Sequence, residues 1–126
     1  MSKGRKPGEL PPPLELACLK ALWRLGEGRV RNVQQALQAE HKLAYTTVLT
    51  VLDRMARKGL VQRRLVGRSF VYTPGISREA LRRTAVHELV RSYFDGSQEE
   101  LLAFLRNQVS SASVAAGAAA LDPVLL

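Results

Sequence analysis

LAYTTVLTVLDRMARKGLVQRRLVGRSFVY, residues 43–72, reads as a helix followed at once by a pair of strands. Tyr45, Val48, Val51, Leu52 and Met55 recur at three- and four-residue steps, so they share one apolar arc of the helix. The opposite arc carries Thr46, Thr50, Asp53, Arg54 and Arg57, with Thr47 and Lys58 at its margin. Short hydroxyl side chains near a helix start can approach base edges or phosphates, while longer arginines reach a guanine edge or the backbone from later turns. Such a face suits a DNA major groove. Gly59 can end the helix, and Leu60 to Leu65 and Ser69 to Thr73 form β-rich runs around Val66-Gly67-Arg68. Arg63, Arg64 and Arg68 line that hairpin. A lone amphipathic helix with solvated charges would be unremarkable. The arginine-bearing hairpin after it makes a recognition helix with its wing the stronger expectation.

Upstream, Val30, Val33 and Leu37 give one apolar face to a helix from about Val30 to Glu40, and His41 to Ala44 connect it to the recognition helix with helix-turn-helix spacing. An earlier helix, Pro12 to Leu25, follows the proline run at 11–13 and can stop at Gly26. Leu14, Ala17, Cys18, Leu19, Ala21, Leu22, Trp23 and Leu25 nearly encircle it, which predicts the central core helix of a three-helix domain. The fold class expected is mainly α with a small β wing: a winged helix-turn-helix domain over 14–75 and a C-terminal helical region over 76–109.

The charge is unevenly spread. Residues 1–75 carry 14 Lys/Arg against 5 Asp/Glu, a net of +9, whereas residues 76–126 carry 5 against 6, a net of −1. The basic half suits a polyanion, and the second half has another task. Lys3, Arg5 and Lys6 lie in a Gly/Pro context and are expected to form a flexible basic arm over 1–13.

Ser77, after the Pro74-Gly75 break, is the expected cap of a helix to about Phe94 with Leu81, Ala85, Leu89, Val90 and Tyr93 on neighbouring faces. Ser97 and Glu100 form a capping box for a shorter helix with Leu101, Leu102, Leu105 and Val109. Two such helices bury too little alone. They either pack on their own domain or pair with a second copy; the latter is expected, because palindromic DNA sites call for two-fold symmetric readers. The dimer residues would be Leu81, Ala85, Leu89, Tyr93, Leu101 and Leu105. Residues 110–126, rich in small side chains, are a weak helix or a mobile tail.

Other chemistries fail on spacing. His87-Glu88 begins a zinc-type H-E-x-x-H, but Arg91 stands at the fifth position and cannot ligate a cation, so no metal site and no catalytic site are expected. The sequence has no C-x-x-C, no phosphate-binding P-loop and no G-x-G-x-x-G, and no cofactor is expected. Cys18, the single cysteine, reads as a small core residue and excludes a disulfide within one chain. No run approaches the roughly 20 apolar residues of a membrane span, and no secretory signal follows the N-terminal charges, so a cytoplasmic protein without membrane insertion is expected.

LAYTTVLTVLDRM (43–55), Arg57-Lys58-Gly59-Leu60-Val61 and Gly67-Arg68-Ser69-Phe70-Val71-Tyr72-Thr73-Pro74 together resemble the penicillinase-repressor family (BlaI/MecI/CopY), as do Leu22-Trp23 and Phe94-Asp95-Gly96-Ser97. The resemblance covers about residues 14–109. It implies a homodimeric winged-helix repressor that binds an inverted repeat in double-stranded DNA, with the C-terminal helices forming the dimer. The copper-responsive branch carries a C-terminal cysteine cluster, and here no cysteine follows Cys18, so a copper sensor is not implied. In the antibiotic-responsive branch a membrane-bound sensor metalloprotease cuts an Asn-Phe bond, to which Ala103-Phe104 is the local match, with the first residue changed. Two alternatives stay open: a small-molecule-sensing winged-helix regulator, which needs a pocket with convergent polar groups, and a winged-helix protein-interaction module, which would bind no DNA.

Overall fold

The computed structural model describes residues 9–119, with side chains to residue 110. The basic arm residues Lys3, Arg5 and Lys6 and the last seven residues lie outside the described residues. The element order is α1 (Pro13–Leu25), α2 (Val30–Leu37), α3 (Tyr45–Lys58), β1 (Val61–Val66), β2 (Ser69–Pro74), α4 (Arg78–Tyr93) and α5 (Gln98–Ala119). The chain divides into two compact units, Met1–Ala85 and Val86–Leu126, with the boundary inside α4.

In the first unit α1 starts at Pro13, where a missing N–H costs nothing because the first helical donors have no intrahelical acceptor. Cys18, Leu19, Ala21 and Leu22 are buried, but Leu25 is exposed, so the apolar ring is incomplete at its last turn. Val30, Val33 and Leu37 bury the α2 face as expected. The helix ends three residues before the expected Glu40: the Gln38 and Glu40 N–H groups donate to Gln35 and Leu37 oxygens, which tightens the last turn into i→i+3 bonds. Gln34 Nε2 then donates to Leu43 O at 2.9 Å, tying the turn down ahead of α3.

Gly59 sits at φ 83° and closes α3 with a Schellman pair, its own N–H donating to Ala56 O and the Leu60 N–H to Met55 O. Met55 and Leu60 are both buried, so the cap is also a core contact. The strands pair antiparallel from Val61↔Pro74 to Val66↔Ser69, leaving the two-residue turn Gly67-Arg68. Only the first of these has positive φ, as a type II′ hairpin requires, and that conformation favours glycine there. A third, one-residue strand lies beside the hairpin, where Gly28 and Tyr72 exchange both backbone bonds at 3.0 and 2.8 Å.

Tyr72, Leu19, Leu22, Leu52, Met55 and Leu60 fill the centre of the core. Leu81, from the first turn of α4, is 6% exposed and belongs to the same cluster. The Trp23 Nε1–H donates to Ile76 O at 2.9 Å and the Arg78 guanidinium lies 4.8 Å over the Trp23 ring, so the chain past Pro74 still closes this domain.

Ser77 and Ser97 cap α4 and α5, each hydroxyl accepting an N–H three residues on, from Ala80 at 3.0 Å and Glu100 at 3.1 Å. In the second unit Val90 and Leu101 are buried, and Phe94 packs on Phe104 at 5.6 Å between ring centroids. The backbone of 110–119 continues α5 without a break.

Candidate nucleic-acid interface

The α3 arc opposite the core presents Thr46, Thr47 and Thr50 to solvent, all with side chains too short to fold back across the helix. Tyr45, expected on the core arc, is 42% exposed. It stands at the first helical position, where no core element covers it, and with exposed Leu49 it borders a hollow of about 400 Å³. Arg29, Arg31, Arg68, Ser69 and Phe70 line the rest, making a concave, cationic strip between the starts of α2 and α3 and the wing.

The wing is tied to α3 through Asp53. One carboxylate oxygen accepts from Arg63 at 2.8 Å and the other pairs with Arg57 at 2.9 Å, one turn along the helix. The Arg63 guanidinium also lies 4.5 Å over the Phe70 ring, which limits how far it can swing. Arg64 pairs with Glu27 at 3.1 Å, an exposed contact worth little in water. Arg68, at the turn, has no ion-pair partner among the described residues. Arg29 is occupied inside the domain, its Nη1 donating to the carbonyls of Val66 and Ser69 and to the Ser69 hydroxyl, so it braces the turn end of the hairpin. The expected contact residues thus fall into groups. Thr46, Thr47 and Thr50 are exposed, Arg68 has no ion pair among the described residues, Arg57 and Arg63 share Asp53, and Arg64 pairs with Glu27.

Arg54 differs from all of these. Its Nε donates to Oε2 of Glu15 at 3.0 Å, and Lys58 Nζ donates to both Glu15 oxygens, also at 3.0 Å. Glu15 on α1 is 1% exposed. Its importance was hidden in the sequence because its partners lie 39 and 43 residues away and come together only in the fold. One cue was present: a glutamate one turn before Cys18-Leu19 on a helix apolar nearly all round must be buried or distort the pattern.

Burial, and secondarily the nearby Glu15 charge, pushes the Cys18 thiol up to about 11, so it stays protonated at neutral pH. Arg91, which interrupts the zinc-like motif, is itself the partner of Glu88, and its hydrogen bonds hold that carboxyl below the usual range. Among the described residues no cluster of three His, Cys, Asp or Glu could hold a metal ion, and no helix is long and apolar enough to cross a membrane.

The residues expected at a dimer surface separate as well. Leu81 is buried in the core of its own domain and Leu101 is buried in the second unit, so neither offers surface. Ala85 is half-buried, whereas Leu89, Leu105 and above all Tyr93, at 78%, are exposed. Val86, Leu102 and Val109 are further exposed apolar residues beside them in the sequence. Phe104 is also exposed, and the Ala103-Phe104 bond lies inside α5.

Comparison with known proteins follows the same outline. The solution structure of the DNA-binding domain of the repressor BlaI matches with a TM-score of 0.51 at 28% identity, covering 60% of this chain and 92% of that one. The transcriptional regulator BlaI of Mycobacterium tuberculosis is 37% identical over 100 residues, 78% of this chain and 72% of that protein. The penicillinase repressor of Bacillus licheniformis is 28% identical over 94 residues, 74% of this chain and 73% of its own length. The family model described as penicillinase repressor matches residues 12–121. With its helices, wing and sequence in agreement, the chain belongs to the penicillinase repressor family, a family of transcriptional repressors and not of enzymes.

Proposed function

We propose that this protein is a sequence-specific repressor that binds an inverted repeat in double-stranded DNA as a homodimer. The observation that carries this is the α3 face: three exposed threonines on the first two turns, arginines beyond them, and a cationic wing beside them, on a fold matched by a domain described as DNA-binding. Thr46, Thr47, Thr50 and Arg54 take the base edges, and Arg57, Arg63, Arg64 and Arg68 take phosphates. The exposed apolar residues of the second unit, Leu89, Tyr93 and Leu105 with Val86, Leu102 and Val109, supply the homodimer surface. Release occurs by cleavage near Ala103-Phe104 by a membrane-bound sensor metalloprotease responding to a cell-wall antibiotic.

The test of DNA binding is its salt dependence. Duplexes enriched from a random pool by the purified protein should be bound with an affinity that falls with salt, at a logarithmic slope of about −0.9 per neutralised phosphate. Failure to enrich any duplex, or binding indifferent to salt, refutes the proposal.

A further inference from the structure

Glu15 carries a role that neither the charge pattern nor the fold class assigns. A carboxylate withdrawn from water is tolerated only when paired and hydrogen-bonded, and here the pairing is lopsided: one anion meets two cations, Arg54 and Lys58, both from the same side of α3. If pinning α1 to α3 were the whole purpose, Lys58 alone would suffice, since its ammonium reaches both oxygens. Arg54 is held by Nε alone, at 3.0 Å. Its Nη1 and Nη2 have no partner among the described residues, and its side chain remains 47% exposed. A guanidinium is rigid and planar, so holding the Nε–H direction restricts where the two terminal nitrogens can point.

We infer that Glu15 is a positioning residue for base recognition, orienting Arg54 so that its two terminal nitrogens are presented as a fork to the O6 and N7 edge of a guanine. The fork needs this help. Arg54 lies on the exposed arc, and an unrestrained side chain there loses rotamer freedom on binding that the Glu15 bond has already removed. Lys58 donates to both carboxylate oxygens, and two cations against one anion leave the cluster with a net positive charge towards DNA. The inference rests on the DNA-binding proposal above.

The test uses full-length protein, a duplex enriched from a random pool by the wild type, and a scrambled duplex of the same length. Affinities for both are measured for the wild type, Glu15→Gln, Arg54→Lys and the double variant, with thermal unfolding as the folding control. Arg54→Lys keeps a cation for Glu15 but removes the fork. Each single variant should lower the ratio of selected to scrambled affinity by about fivefold or more, the value of one bidentate contact. The double variant should lose no more than Arg54→Lys alone, because Glu15 acts through the fork. If Glu15→Gln does not fold, Glu15→Asp carries the same comparison, since it keeps the charge but withdraws it by one methylene. Equal losses on both duplexes, or losses that add in the double variant, overturn the assignment and leave Glu15 a structural staple. A wild type that enriches no duplex overturns the assignment together with the DNA proposal, and so is told apart from a failure of the assignment alone.

Discussion

Cys18 is enclosed by core residues beside a carboxylate, and both features favour its neutral form. The thiolate is the reactive species, so in folded protein at pH 7–8 the cysteine should resist a disulfide-exchange reagent and react only on unfolding. Its folded-state pKa lies above the ordinary thiol value, so the folded chain holds the proton more tightly than the unfolded one. That contribution is complete below pH 9, the ordinary value, and is lost as pH rises through about 11. Urea unfolding at pH 8.5 and 10.5 should show a stability drop that shrinks in Cys18→Ala; an equal drop in both would place the titration elsewhere. The site residues separate by the same test of partners. Thr46→Ala and Thr50→Ala should each cost roughly 1–3 kcal/mol on a selected duplex and little on random DNA. Arg68→Ala, at the turn and outside any ion pair among the described residues, should weaken all duplexes alike and reduce the salt slope by about 1. A loss confined to the selected duplex would move Arg68 among the base readers.

At the scale of elements, legibility followed contact range. The apolar positions Val48, Val51, Leu52 and Met55 were visible in the sequence because helix periodicity is local, and so was the wing, because its turn chemistry is carried by adjacent residues. Tyr45 departs from the apolar arc's burial because periodicity assigns a face but does not show whether another element covers its end. The Gly28–Tyr72 bridge and the Glu15 cluster were invisible for the complementary reason: both join residues about 40 apart through groups with no local signature. Leu81 shows the same limit with a practical consequence. A break at Pro74-Gly75 looks like a domain end, yet Ile76, Arg78 and Leu81 complete the first core. A fragment ending at Pro74 should therefore unfold at distinctly lower temperature than one ending at Ala85, since loss of a buried leucine alone costs about 2–5 kcal/mol. Equal melting temperatures would show that the start of α4 is only laid against the domain.

For the whole molecule the exposed apolar surface of the second unit is the dominant fact. Tyr93, Val109 and Leu102 are each at least half exposed, while Val90 and Leu101 are the buried hydrophobic residues of that unit among the described residues. A unit with so little interior is marginal alone, and a second copy would cover the remainder. Linking two readers gains affinity through effective concentration, not through new base contacts. Tyr93→Asp combined with Leu105→Asp should therefore yield a monomer by ultracentrifugation, with binding to the inverted repeat reduced at least about a hundredfold and half-site binding little changed. A stable dimer in that variant would move the interface elsewhere. Cleavage near Phe104 would act through the same linkage, since it removes most of α5 while leaving α3 and the wing intact. The bond lies within a helix, so a protease needs local opening of α5 before it can bind the strand, and Ala103 in place of the family's asparagine changes the side chain it meets. An immunoblot following the repressor in its host as a cell-wall antibiotic is added should show a shortened N-terminal fragment appearing as the target genes switch on. Full-length protein persisting through that switch would exclude proteolysis and require release by a bound ligand or partner.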